Sequence, residues 1–205
     1  MDPHFWPGLA FEGVDRINRS PCYLYKESVD ATLSQEASTN MSDLIRPLEP
    51  GDIPFCVSMT ERTGMFKKLE VEALQEVLDD YFAVCHELGH QAAVLEEAGK
   101  ITGYVYWAPA AMTDRTWYLY WIAISNEVQG KGRGGRLLKH AENDARREGA
   151  RIFLIETSGT AQYELTRKFY LKYGYDLSAR VPDYYTDGDD LCIFHKRLGP
   201  KKIGP

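Results

Sequence analysis

The chain has 205 residues, 44% hydrophobic and 26% charged, which suits one domain with a buried core. A net charge of -6 speaks against a nucleic-acid partner, which selects a basic face, and the absence of any long apolar run speaks against a membrane. Cys22, Cys56, Cys85 and Cys192 are scattered without a C-x-x-C pair, which argues against a disulfide framework or zinc knuckle and for a reducing, cytoplasmic setting.

Residues 1–40 mix Pro3, Pro7, Gly8, Gly13 and Pro21 with isolated aromatics, and show neither a sustained period nor a basic-then-apolar leader. They read as an extension, flexible or outside the native domain, with the domain at 41–198 and a short tail at 199–205. Residues 44–48 read as a strand, and Asp52 is placed to cap a helix over 53–60. Val71, Leu74, Val77, Leu78, Tyr81, Phe82 and Cys85 recur at helical spacing, predicting one helix over 69–88 that Gly89 ends. Residues 91–95 and 101–107 form a hairpin turned at 97–100. A strand at 116–125 leads into Gln129-Gly130-Lys131-Gly132-Arg133-Gly134-Gly135, followed by a helix over 134–148. A strand at 151–156, a helix over 163–173 stopped by Gly174, and strands at 175–181 and 191–197 complete the pattern. An acidic loop at 182–190 separates the last two. This is an α/β (α+β) single domain with one antiparallel hairpin and one βαβ unit.

The glycine segment carries the chemistry. Four of its seven residues are glycine and two are cationic, so its amides stay uncovered at a helix N-terminus, where orphan donors and the macrodipole favour phosphate. Gly130-x-Gly132-x-x-Gly135 literally satisfies a dinucleotide fingerprint, with Glu156 about 20 residues on. The spacer 126–129, the late position in the chain and the preceding hairpin oppose that reading. A nucleotide loop of the Walker type needs Ser or Thr after its lysine, and Lys131 is followed by Gly132. His86-Glu87-Leu88-Gly89-His90 spells the H-E-x-x-H of zinc hydrolases. Gly89 as a helix stop separates the two imidazoles, no third ligand is evident, and no metal is expected.

Gln129-x-x-Gly132-x-Gly134 resembles the Q/R-x-x-G-x-G/A signature of the GNAT acetyltransferase superfamily. Phe169-Tyr170-x-x-x-Gly174-Tyr175 is similar to that family's aromatic helix end, and the element order is similar over residues 44–198. The resemblance implies a mixed sheet of six to seven strands flanked by about four helices, with two central parallel strands splayed around acetyl-CoA. It implies transfer of acetyl from acetyl-CoA to a primary amine, on a small molecule or a peptide or protein, in a ternary complex. Gln129, Gly130, Lys131, Gly132, Arg133, Gly134 and Gly135 are then expected to hold the pyrophosphate, and the backbones of Ile122, Ala123 and Ile124 the pantetheine arm. A non-catalytic acyl-CoA sensor or interaction module on the same fold is the alternative.

Tyr170 matches the family's thiolate-protonating tyrosine, and is otherwise a core aromatic. Many members carry a glutamate at the position of Tyr118, so that role does not transfer; Glu156 is the preferred acid to bind or deprotonate the amine, and is otherwise a surface or capping carboxylate. Tyr163 stands where many members have asparagine, and that role does not transfer either. Tyr118, Tyr120, Tyr184 and Asp187 are the expected acceptor contacts, because aromatic faces and carboxylates suit an amine cation. Trp117 and Trp121 alternate with Tyr118 and Tyr120 along the strand. Monomer and homodimer are equally compatible with the sequence.

Overall fold

The computed structural model describes residues 44–199; the extension 1–40 and the tail beyond residue 199 lie outside them. Within them, β1 (Leu44–Pro47), β2 (Gln91–Glu97), β3 (Lys100–Pro109), β4 (Thr116–Ile124), β5 (Ile152–Ser158), β6 (Asp176–Thr186) and β7 (Asp189–Arg197) form one seven-stranded sheet. Its order is β1-β2-β3-β4-β5-β7-β6. All neighbours are antiparallel except β4 and β5. The helices are α1 (Ile53–Thr63), α2 (Lys68–Asp80), α3 (Arg133–Arg147) and α4 (Glu164–Lys172). The mixed sheet with splayed parallel strands thus matches the expected architecture.

Each face of the sheet has its own core. Leu137, Leu138, Ala141 and Ala145 of α3, with Tyr170 of α4, pack on Leu95, Val105, Leu119, Phe153, Ile155 and Phe194. Cys56 and Met59 of α1, with Leu74 and Leu78 of α2, pack on Val94, Tyr104, Tyr106 and Ala123. Alternation along β2 and β3 feeds both layers, so these strands read as almost continuously buried. Their turn, Ala98-Gly99, has positive φ at both residues, 49° and 75°, the type I′ geometry whose twist suits a hairpin.

Three local expectations change. The helix expected over 69–88 is α-helical only to Asp80, then widens to a π turn at Tyr81–Cys85 and tightens to a 3-10 turn at His86–Leu88. Tyr81 and Cys85 stay buried throughout, and five residues are too few for periodicity to distinguish these winds. Asp52 precedes α1 but does not cap it, because its carboxylate is taken by the Arg46 guanidinium, at 2.7 and 3.0 Å, and by the Glu49 amide. The acidic loop is strand: β6 and β7 continue to a tip at Asp187-Gly188. β6 is an edge strand exposed on both faces over its first eight residues, so it shows no alternation, and Pro182 needs no partner there. Cys56 and Cys192 are free and buried. No helix among the described residues is long and apolar enough to cross a membrane.

Candidate active site

The site begins where the sheet opens. β4 and β5 pair over only four rungs, Thr116 with Ile152 to Leu119 with Ile155. Beyond them β4 runs on to Ile124 and β5 to Ser158 without pairing to each other. A β-bulge marks the divergence: Trp107 pairs with Leu119 and Tyr106 with Trp121, leaving Tyr120 without a cross-strand partner. The bulge shifts the side-chain phase. Trp117 and Leu119 face α3 and α4, Tyr120 and Trp121 both face α1 and α2, and Ile122 and Ile124 return to the α3 side. Strict alternation would have kept Trp121 with Trp117. Ala123 is buried on the α1 side.

On the α3 side lies the glycine turn. Gly130 and Gly132 have φ near +80°, a conformation that costs other residues about 1–2 kcal/mol, and nothing lies within 4 Å of a Cβ built on either. Gly132 is the left-handed N-cap of α3, one residue earlier than expected. The first helical bond runs from the Arg136 amide to the Gly132 carbonyl. The amides of Arg133, Gly134 and Gly135 therefore have no acceptor among the described residues, and no side chain caps them. Gln129 braces the turn, donating to the Ile124 carbonyl at 3.1 Å and to Asn126 at 2.9 Å.

The charged side chains of the turn divide. Arg133 is turned away, onto Glu97 at 2.5 Å and the Val128 carbonyl at 3.1 Å. It clips the turn to the β2–β3 hairpin. Lys131 is exposed. Gly135 is a packing glycine: a Cβ there would overlap the Tyr173 hydroxyl and ring.

On the α1 side lies Glu156, the first residue of β5 past the last rung shared with β4. Its Oε1 is buried without a hydrogen-bond partner. Burial pushes the carboxyl above its ordinary value, and interaction with the Tyr118 hydroxyl offsets part of that rise. Tyr118 and Tyr120 lie 5.7 Å apart by ring centroid, and both phenols are raised to about 12, by burial first and then by neighbouring groups that include Glu156. Tyr184 and Tyr185, in edge contact at 5.0 Å, are also raised by burial and by Glu156. Tyr118, Tyr120 and Tyr184 are thus brought to one carboxylate, joined by Tyr185. Asp187 lies at the exposed hairpin tip instead.

The sequence assigned no acceptor role to the second ring around this group. His90 stacks parallel to Tyr120 at 6.5 Å and bonds the Tyr106 hydroxyl at 2.6 Å; burial lowers it to about 4, so it is neutral. Gly89, at φ 86°, ends the helical segment, so His90 leads into β2 instead of sharing a helical face with His86. Phe66, from the α1–α2 turn, packs on Trp121 at 5.4 Å. That turn is tied to both walls of the opening. Asn126 donates to the Arg62 carbonyl at 2.9 Å, Gln162 to the Gly64 carbonyl at 3.2 Å, and Tyr163 to the Met65 carbonyl at 2.7 Å. Tyr163 is therefore a brace.

Tyr170 is 4% exposed on α4, in ring contact with Phe169, Tyr175 and Phe194. Burial raises its phenol well above the usual value, so it is protonated at neutral pH. Among the described residues its hydroxyl has no hydrogen-bond partner. A separate cavity of about 300 Å³, lined by Arg115, Arg146, Arg151 and Leu198, lies near the start of β5, the closed end of the β4–β5 pair.

The glycine turn and opened sheet lie within a stretch, residues 88–177, that matches the family model for the acetyltransferase (GNAT) domain. A GNAT-family structure from Desulfovibrio desulfuricans is 30% identical, covers 77% of this chain and all of its own, and superposes with a TM-score of 0.74. A Salmonella typhimurium structure solved with acetyl-CoA is 18% identical, with 80% of this chain and 98% of that one covered and a TM-score of 0.64, which shows the shared fold. The S-alkylcysteine N-acetyltransferase of Bacillus subtilis is 26% identical over 57% of this chain and 66% of its own. A 30%-identical relative matched along its whole length makes the family plain: this chain belongs to the GNAT acetyltransferases.

Proposed function

We propose that residues 41–198 carry an N-acetyltransferase that moves acetyl from acetyl-CoA directly to a primary amine in a ternary complex. One observation carries the reading: the same opening in the sheet has unused amides on one face and, on the other, a buried carboxylate oxygen without a hydrogen-bond partner. The amides of 133–135 take the pyrophosphate, with Lys131 adding charge and Gly130 and Gly132 setting the turn. Gln129 holds the turn in shape, and Arg133 acts through its amide while its guanidinium clips Glu97. The free edge of β4 at Ile122, Ala123 and Ile124 pairs with the pantetheine amides.

On the opposite face Glu156 accepts a proton from the ammonium. Its raised proton affinity narrows the gap to that of an amine, which suits that transfer. The neutral nitrogen attacks the thioester carbonyl, the C–N bond forms, and the C–S bond then breaks. Tyr170, held protonated by burial, gives its proton to the departing thiolate and is restored by the proton that the nitrogen sheds as the amide forms. Tyr118, Tyr120 and Tyr184 enclose the amine, and Asp187 supplies charge at the rim. The test is thiol release from acetyl-CoA across a panel of amines. Acetyl-CoA binding without release on any amine favours the non-catalytic sensor instead.

A further inference from the structure

The acceptor face of the opening is chemically one-sided. Glu156 offers a buried carboxylate oxygen with no hydrogen-bond partner. Around it stand Tyr118, Tyr120, Tyr184 and Tyr185, whose ring faces favour a cation. Asp189, bonded by the Ser158 hydroxyl at 2.5 Å, and Glu70, which accepts from the Lys67 amide at 2.6 Å, both act on Tyr163 and Tyr185 at the rim.

Among the described residues no lysine or arginine acts on Glu156, and Arg167, Arg180 and His90 are engaged with other groups. Arg167 gives its guanidinium to the Ser158 and Thr160 carbonyls, both at 2.7 Å. Arg180 pairs with Asp190 at 2.5 Å. His90, stacked on Tyr120, is neutral. Among the described residues the group around Glu156 thus holds complementary charge for an ammonium and no lysine or arginine partner for a carboxylate beside it.

We infer that the acceptor is a primary alkyl or arylalkyl amine whose amine-bearing carbon carries no carboxylate, because Glu156 and its four tyrosines receive the ammonium and, among the described residues, no lysine or arginine stands with them to receive a carboxylate. This rests on the acetyl-transfer reading above and narrows it. An α-amino acid would bring its own carboxylate within a few ångströms of Glu156, where like charges repel in a poorly solvated site. The S-alkylcysteine specificity carried in the name of the Bacillus subtilis relative is therefore not expected here.

Matched pairs test this on the full chain saturated with coenzyme A. The pairs are phenethylamine against phenylalanine, and 2-(methylthio)ethylamine against S-methylcysteine, titrated by calorimetry. Each amine is expected to bind about tenfold or more tightly than its amino acid, the order of one modest charge interaction. Glu156→Gln, checked by thermal melting for a folded protein, is expected to remove the preference. Equal or tighter binding of the amino acids overturns the inference, as does no measurable binding of either amine. The same four compounds are assayed for thiol release from acetyl-CoA. Amine preference in binding without release from any compound supports the acceptor class and counts against acetyl transfer, so the two readings fail separately.

Discussion

The Tyr163 hydroxyl donates a 2.7 Å hydrogen bond to the Met65 carbonyl, tying the start of α4 to the α1–α2 turn. With Gln162 on Gly64 and Asn126 on Arg62, this anchors the turn on both walls of the opening. Phe66, one residue on, is held against Trp121. Tyr163→Phe keeps the ring and removes the tie. It is expected to raise the acceptor KM about fivefold with little change in kcat or acetyl-CoA affinity, and to lower stability by about 1 kcal/mol. Steady-state kinetics with each substrate varied, plus a denaturant melt, separate these effects.

Glu156→Gln should lower kcat/KM by about a hundredfold or more, the usual span for a lost general base, while coenzyme A affinity holds. The same variant should melt higher at neutral pH. The folded carboxyl is raised above its unfolded value, so its ionised form disfavours the fold. That deficit is absent below the unfolded pKa and grows as pH rises through the folded one. The gain should therefore vanish near pH 4. In the wild type the acid limb of kcat/KM should lie above the ordinary carboxylate range, since only the deprotonated form accepts the proton.

Tyr170→Phe removes a hydroxyl that has no hydrogen-bond partner among the described residues and keeps a ring packed on Tyr175 and Phe194. Stability should change by less than about 1 kcal/mol. Turnover should fall about tenfold to a thousandfold at constant acceptor KM, with the loss relieved by a thioester whose thiol is more acidic. Unchanged kcat would return Tyr170 to the role of a core aromatic.

Lys131 and Arg133 are both cations in one loop, yet their substitutions should diverge. Lys131→Ala should weaken coenzyme A binding about threefold to tenfold, more so at low salt, and leave the melting temperature alone. Arg133→Ala takes from Glu97, only 11% exposed in its side chain, the shorter of its two ion pairs and leaves Arg136 at 3.6 Å, and should cost about 1–3 kcal/mol. Calorimetry at two ionic strengths and thermal melts distinguish the pair.

Gly135→Ala should destabilise by about 1–3 kcal/mol, because the new methyl overlaps the Tyr173 ring and hydroxyl. Adding Tyr173→Ala makes room and should recover part of the loss, a coupling that a double-mutant cycle measures.

Much of the fold was legible in the sequence. The left-handed glycines Gly89 and Gly174 fall where the sequence placed its helix stops, and Gly130 and Gly132 where it placed its tight turn. What was missed lies where local pattern is silent. β6 is wet on both faces, so it carries no alternation and its end read as loop. The bulge at Tyr120 has no composition of its own, and it moves Trp121 to the face of Tyr120. His90 drew notice as half of a metal motif, yet its surroundings are Tyr106 and Tyr120.

The sequence by itself determined the glycine turn and the order of elements, because positive φ, helix period and strand composition are set by neighbours within a few residues. Only the tertiary structure decided which loop cation stays free, since Arg133 meets Glu97 across 36 residues. It also set Tyr118 against Glu156, and closed the opening with a bond that spans 98 residues, from Tyr163 to Met65. Such pairings follow from sheet register and bulge phase, which a one-residue shift reverses and no local spacing records.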